Sequence, residues 1–381
     1  MTTLSNAHAQ PQPHLAPHAP PVMGRVAILM PSFAGGGAQR AMLLFARELV
    51  VRGLDVDVVS ARGEGPLTSL VPREARVVSL GARGVLAALP ALVGYLRRTR
   101  PAALYSTIAH CNAAALLAGR LVGLPVVVRE AVVPLSAERT SVERTMIRSL
   151  IKLTYPWARA VIAVSTDVAD ELARISDRIR IAVLPTPVVS GELLEAGAAP
   201  LEHPWFVPEG IPVVLGVGRL EPQKDFPTLL RAFAAARRLR PLHLMVLGEG
   251  PERPVLEALS RALGVAPHVQ LPGFVDNPFP YLKRAAAFVL SSRYEGMPTA
   301  LLQAMAFGTP VVSTDCPGGT REALRDGRLG VLVPVGDVER LAAAIGDAVA
   351  SPRRPDVAAD VRDRFGARAA ATGYLSLVQG H

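Results

Sequence analysis

Residues 25–60 begin Arg25-Val-Ala-Ile-Leu-Met30, turn at Gly35-Gly36-Gly37 and end Leu54-Asp-Val-Asp-Val-Val-Ser60. The first run is apolar without helical period and reads as a buried strand. Between the glycines and Gly53, apolar residues recur at helical spacing, which predicts a helix over 38–52. The last run predicts a second strand. Strand, glycine turn, helix and strand make a βαβ opening, with a loop at the carboxyl end of the first strand.

The same alternation continues outward. Strands are predicted at 75–80, 103–107, 125–128, 160–164 and 179–184, with helical stretches between most of them. Such alternation builds a parallel sheet with helices on both faces. Pro185, Pro187, Pro200, Pro204 and Pro208 then break the rhythm, with Gly191 and Gly197. It restarts with strands at 211–217, 243–247, 269–271, 287–290 and 311–313. Helices are predicted at 226–239, 252–263 and 298–307. The expected fold class is therefore α/β, with two Rossmann-like doubly wound domains facing a central cleft. The boundaries are a disordered tail at 1–23, a first domain at 24–187 and a linker at 188–210. A second domain follows at 211–356, and a closing helix in 357–381 crosses back to the first domain.

Composition supports this plan. Half of the residues are hydrophobic but only 5% are aromatic, so Ala, Val and Leu must fill the core. The net charge is +9, which favours anionic partners. The arginines are spread along the chain without long runs, so nucleic acid is not an expected partner. Two cysteines, Cys111 and Cys316, give no disulfide framework or zinc site. No apolar run reaches the roughly 18 residues of a membrane span, and no secretory signal is readable. A cytoplasmic setting is expected. His8, His14 and His18 read as tail composition rather than metal ligands. Asp55-Val-Asp57 matches an Asp-x-Asp metal pattern but lies within a predicted strand, and no metal site is expected there.

Two segments of the second half carry chemistry. Gly218-Arg219-Leu-Glu-Pro-Gln-Lys224 follows a strand. Gly218 lets the chain turn sharply, and Arg219 and Lys224 bring a forked and a mobile cation to the cleft. They fit a pyrophosphate, or they salt-bridge Glu221 and Asp225; the residues alone leave both open. Ser291-Ser-Arg-Tyr-Glu295-Gly296-Met297-Pro298-Thr299-Ala300 follows another strand. Pro298 suits the first helical position. The amides around Met297 and Thr299 would then start a helix unsatisfied, as a phosphate site. Glu295 stands before them, placed to accept from sugar hydroxyls. Gln303 lies about one and a half turns inside the helix, at the height of a ribose.

Val213 to Pro334 resembles the C-terminal domain of the retaining family-four glycosyltransferases, of GT-B fold. The matching pieces are Gly218-Arg219-Leu…Lys224, Leu247-Gly-Glu-Gly-Pro251, Leu271-Pro-Gly-Phe-Val275, Ser291-Ser-Arg-Tyr-Glu-Gly-Met-Pro298 and Gly308-Thr-Pro-Val-Val312. Gly35-Gly36-Gly37-Ala-Gln-Arg40, Val161-Ile-Ala-Val-Ser165 and the closing helix extend the likeness into the first half. The resemblance implies that Arg219 and Lys224 neutralise the donor pyrophosphate and that Glu295 holds the donor sugar. It implies that Phe274 and Val275 meet the base, and that Gly36 and Gly37 approach the phosphates from the first domain. His110 would sit by the donor sugar; a satisfied buried histidine is the competing reading. Arg129 and Glu130 are acceptor-site candidates. The family has a second glutamate where this chain has Gln303.

The activity so implied moves a sugar from a nucleoside-diphosphate sugar to a hydroxyl of a glycan or polyprenyl-linked acceptor, in surface polysaccharide or glycoconjugate synthesis. A UDP-sugar is favoured over GDP-mannose as donor. No cofactor and no metal are expected. The alternative is a catalytically weak or silent nucleotide-sugar-binding protein. Arg139, Arg144, Arg148 and Lys152 fall on one helical face. They suit an anionic membrane surface at the inner face of the cytoplasmic membrane, or an ordinary solvated face.

Overall fold

The computed structural model describes residues 24–34, 36–63, 65–133 and 140–379. The tail with its histidines, Gly35 and Arg139 lie outside them. The first sheet has seven strands: β1 Val26–Met30, β2 Val56–Ser60, β3 Arg76–Ser79, β4 Ala103–Thr107, β5 Val126–Glu130, β6 Ala160–Ala163 and β7 Ile181–Val183. Their order is β3-β2-β1-β4-β5-β6-β7. The second sheet has six: β8 Val213–Val217, β9 His243–Leu247, β10 Val269–Gly273, β11 Ala287–Leu290, β12 Val311–Thr314 and β13 Val331–Val333. Their order is β10-β9-β8-β11-β12-β13. Every pairing is parallel, for example Val26 with Val56 and with Ala103, and Val213 with His243.

Central strands of a parallel sheet are covered on both faces and so read as apolar runs. Val26–Met30 and His243–Leu247 are buried at every position. The short edge strand β13 was not predicted. It has three residues, of which Val331 is exposed, Leu332 partly buried and Val333 buried, too short and too open at its start for a strand signal. The helix Val338–Ala350 after it was not predicted either, although it packs on Phe226–Arg237 to close one face of the second sheet.

The closing segment differs from a single helix. It forms two, Pro355–Phe365 and Ala367–Gln379, broken at Gly366. At the break, Val188 and Val189 donate to Phe365 O at 3.1 and 3.0 Å, and Ala367 donates to Val189 O at 2.8 Å. The former linker stretch, which also holds a short helix Gly191–Ala196, thus pairs with the break. The first closing helix packs on Thr299–Ala306 of the second domain. The second packs on Gly37–Val51 of the first, where Tyr374 lies 5.1 Å from the Phe45 ring. The crossing back to the first domain is therefore real, and Gly366 is its pivot.

Candidate active site between the two sheets

Strand order reverses between β1 and β4 in one sheet and between β8 and β11 in the other. Loops leaving such a pair run apart and open a crevice at the carboxyl ends, where open parallel sheets bind ligands. The residues singled out in the sequence lie mostly on the four loops that leave these strands.

In the second domain, Lys224 ends the turn Pro222–Lys224 after β8, and Glu295 lies on the loop after β11. Lys224 Nζ lies 2.5 Å from Glu295 Oε1, and Ser292 Oγ donates to the same oxygen at 2.7 Å. Both side chains are largely buried, at 18% and 8% exposure. Among the described residues, no hydrogen bond reaches Glu295 Oε2. Lys224 therefore pairs with Glu295 rather than with Asp225, which faces Arg293 at 3.4 Å instead. Arg219 does pair with Glu221, at 2.6 Å. That pair is exposed at the crevice mouth and weakly held, as such pairs are. The loops beneath are stitched by backbone. Gly218 donates to Leu247 O at 3.0 Å, and Gly248 donates to Gly273 O at 2.8 Å. At Gly248, φ is +146° and an added Cβ would fall 1.9 Å from Gly218 O, so only glycine fits. Beyond this floor Phe274 is half exposed and Val275 partly buried.

The helix after Glu295 starts one residue later than expected. Pro298 is its N-cap, at φ −75° and ψ 89°, and Thr299 is its first residue. The first intrahelical bond joins Leu302 N to Pro298 O at 3.1 Å. The amides of Thr299, Ala300 and Leu301 precede it and lack intrahelical partners. Gln303 is half-buried, one turn along the face of Thr299.

The first domain presents a second helix start directly opposite. Gly37–Val51 begins at Gly36, which has φ +124°, and among the described residues neither helix start has a side-chain cap. A Cβ added to Gly37 would lie 2.5 Å from Thr299 Oγ1. Two positive helix ends thus converge on one place. At the same seam a Cβ on Gly296 would fall 1.9 Å from Ala131 O of the first domain.

His110 lies in the first turn of Ala109–Val122, after β4. Its N-cap Ile108 has φ +76°, a strained conformation for a β-branched residue. His110 is exposed rather than buried and satisfied. Burial of part of the ring and the nearby Arg62 lower its pKa, so it is neutral at pH 7. With Pro31, Ser32, Arg62 and Leu86 it lines a pocket of about 420 Å³ at the β1/β4 reversal. Ser32, Arg62 and Leu86 were not singled out in the sequence; the signal that finds them is strand order.

Two expectations need correction. Arg129 does not face the cleft: it is 3% exposed. It donates to Tyr374 Oη at 3.2 Å, Thr186 Oγ1 at 2.9 Å and Thr107 Oγ1 at 3.4 Å, and so ties the last helix to the first sheet. Glu130 is fully buried and accepts from Tyr155 Oη at 2.5 Å. Burial pushes its carboxyl up to about 7. Both lie at the end of β5, which runs two residues further than predicted, so their side chains belong to the packed interior. Asp57 is likewise internal, held by Tyr95 Oη at 2.5 Å and by Arg76.

On the helix Ser141–Thr154, Ile151 is buried while Val142, Met146 and Leu153 are 67–68% exposed. Arg144, Arg148 and Lys152 are exposed and run along one flank at four-residue spacing. Among the described residues, no helix is long and apolar enough to cross a membrane.

Comparison with known proteins locates this arrangement. Residues 211–351 match the family described as glycosyl transferases group 1, and residues 35–190 match Glycosyltransferase Family 4. The chain is 30% identical over 376 residues to a 2-deoxystreptamine N-acetyl-D-glucosaminyltransferase of Streptomyces fradiae, covering 87% of each chain. It is 35% identical over 183 residues to the lipopolysaccharide core biosynthesis glycosyltransferase LpsE of Rhizobium meliloti. That match covers 48% of this chain and 52% of LpsE, so the chain spans about half the length of that relative. Among solved structures, S. aureus TarM, crystallised with UDP and a glycosyl-glycerol, superposes with a TM-score of 0.79 at 11% identity. It covers 94% of this chain and all of its own.

Proposed function

The chain belongs to glycosyltransferase family 4, and we propose that it is a retaining transferase drawing on a nucleoside-diphosphate sugar. The observation that carries this reading is the convergence of two uncapped helix starts, at Gly37 and Thr299, beside the Lys224–Glu295 pair. Uncapped amides at two positive helix ends favour a multiply charged anion. A pyrophosphate seated there leaves the attached sugar beside Glu295, whose Oε2 has no hydrogen-bond partner among the described residues and can accept from a sugar hydroxyl. Phe274 and Val275 then border the base, and Gln303 the ribose.

In the reaction, the acceptor hydroxyl oxygen bonds to the anomeric carbon as its bond to the β-phosphate breaks. The nucleoside diphosphate leaves, and its departing oxygen takes the acceptor proton. The chain supplies charge and position. Lys224, Arg219 and the helix ends hold the leaving group without a metal ion. The neutral ring of His110 borders the sugar from the first domain. UDP-sugars are favoured over GDP-mannose as donors.

The acceptor enters by the pocket of His110, Arg62, Ser32 and Leu86. A cation and an apolar lip suit a glycan linked to a lipid phosphate. The exposed stripe of Val142, Met146 and Leu153, flanked by Arg144, Arg148 and Lys152, would then rest on an anionic membrane. Sedimentation with liposomes tests this: pelleting with anionic but not neutral lipid is expected.

A thermal-shift screen with UDP, GDP, ADP and their sugars tests the core of the reading, because a bound ligand raises the melting point. A shift by one nucleotide family, retained in excess chelator, is expected; no shift by any would refute it. The second reading, a weak or silent binding protein, is favoured by Gln303 alone. A shift without sugar transfer or donor hydrolysis would support it.

A further inference from the structure

The donor loop is held from behind by an element of the opposite domain. Asp167 lies in the first turn of the helix Thr166–Ile175, which follows β6. Its Oδ2 accepts from Gly318 N–H of the second domain at 2.8 Å. Gly318 in turn is pressed against the donor loop. It has φ +113°, and an added Cβ would fall 1.9 Å from Glu295 O. On either side of it, Glu295 N–H donates to Pro317 O at 2.9 Å, and Gly319 N–H donates to Gly296 O at 2.6 Å. The backbone carrying the Glu295 carboxylate is thus clamped to residues 317–319, and that segment is bonded to Asp167 of the other domain.

A second contact lies beside the first. Glu322 Oε2 accepts from Thr166 N–H at 3.0 Å and from Thr166 Oγ1 at 3.2 Å. It caps the helix start of the first domain from the second, but among the described residues no bond joins it to the Glu295 loop. The two carboxylates therefore separate two effects. One adheres the domains. The other adheres them and also steadies the loop that presents Glu295.

We propose that Asp167 is a positioning residue for the donor sugar, acting through Gly318 on Glu295. Its effect falls first on the sugar, because the clamped backbone carries Glu295 itself, whereas among the described residues no hydrogen bond joins residues 317–319 to Lys224, Arg219, the floor at Gly218, Gly248 and Gly273, or the helix start at Gly37. This rests on the donor-site reading above.

Calorimetric titration of the full chain tests it, using UDP and UDP-glucose, or GDP and GDP-mannose if the wild type prefers them. With Asp167→Ala, Kd for the nucleotide sugar rises about tenfold, the worth of one hydrogen bond to a charged group. Kd for the free nucleotide stays within about twofold. Asp167→Asn keeps an accepting oxygen and recovers most of the loss. Glu322→Ala leaves both constants within about twofold. Equal weakening of sugar and nucleotide by Asp167→Ala, or the same sugar-specific loss from Glu322→Ala, reduces Asp167 to domain adhesion and overturns the proposal. No change with Asp167→Ala overturns it outright. A wild type that binds no nucleotide removes the donor site itself, and the failure then belongs to the functional reading.

Discussion

Lys224 and Glu295 stand 71 residues apart in sequence and 2.5 Å apart in space, joined where the second sheet reverses its strand order. The pair has two consequences. A buried ion pair adds little net stability, but removing one partner leaves the other charge stranded. Glu295→Ala is expected to cut kcat/KM by about 10²- to 10³-fold, on the scale of one lost transition-state contact. Lys224→Met is expected to do comparable damage, and the double variant to lose far less than the product of the two. Steady-state kinetics of the three variants measure this; full additivity would show that the pair does not act as a unit.

The seam between the domains gives a steric test. Gly296 meets the backbone oxygen of Ala131, which has no rotamer to move, whereas Gly37 meets the Thr299 side chain. Gly296→Ala is expected to lower turnover severely with no second-site rescue at Thr299. Gly37→Ala is expected to be partly rescued by Thr299→Ala. Comparing the melting points of the single variants separates loss of closure from loss of fold. Failure of the rescue would mean that the space at Gly37 serves the ligand, not Thr299.

The fold was legible because parallel strands are buried on both faces and leave apolar runs such as Val26–Met30. The edge strand Val331–Val333 left no such trace, being short and exposed at Val331. The two chemical loops of the second domain were legible because glycine, proline and charge fall there in a fixed order. Which charges pair was not: sequence offered Asp225 to Lys224, and the fold supplied Glu295 from a distant loop. Arg129 and Glu130 were misjudged because a charged pair after a strand looks exposed. They are interior because the last helix brings Tyr374 over Arg129, and Tyr155 meets Glu130. Long-range closure of that kind has no local signal.

Arg129 leads to a prediction opposite to an acceptor role. Arg129→Ala leaves Tyr374, Thr186 and Thr107 without its guanidinium donors in a buried place. A loss of about 3 kcal/mol in unfolding free energy is expected, with KM for donor and acceptor nearly unchanged. Denaturant titration beside steady-state kinetics checks it; a raised acceptor KM at unchanged stability would restore the acceptor reading.

Glu130 makes stability depend on pH. Its carboxyl is raised from 4.5 to about 7, chiefly by burial. Between these values the folded state holds a proton that the unfolded state has lost. Stability therefore falls as pH rises through this window, and the penalty is complete above about 7. The shift corresponds to roughly 3 kcal/mol for a fully buried group. Glu130→Gln cannot ionise, so its stability curve should be flatter between pH 4.5 and 7. Denaturant unfolding at a series of pH values measures the difference; parallel curves would show that Glu130 does not titrate there.

Gln303 stands where the family has its second glutamate, one turn below Thr299 on the helix that opens toward the first domain. In the proposed donor pose its amide oxygen would accept from a ribose hydroxyl without the charge-assisted part of the bond, about 1 kcal/mol. In the same pose a neutral residue also spares the helix a carboxylate one turn from the proposed pyrophosphate seat, which a glutamate would repel. The two effects oppose each other. Gln303→Glu is therefore expected to leave turnover within a few-fold, with donor affinity up to about fivefold tighter. Titration with the bound nucleotide in low and high salt separates them, because screening weakens the repulsion between exposed charges. A large loss of turnover in this variant would place Gln303 against the phosphates instead of the ribose.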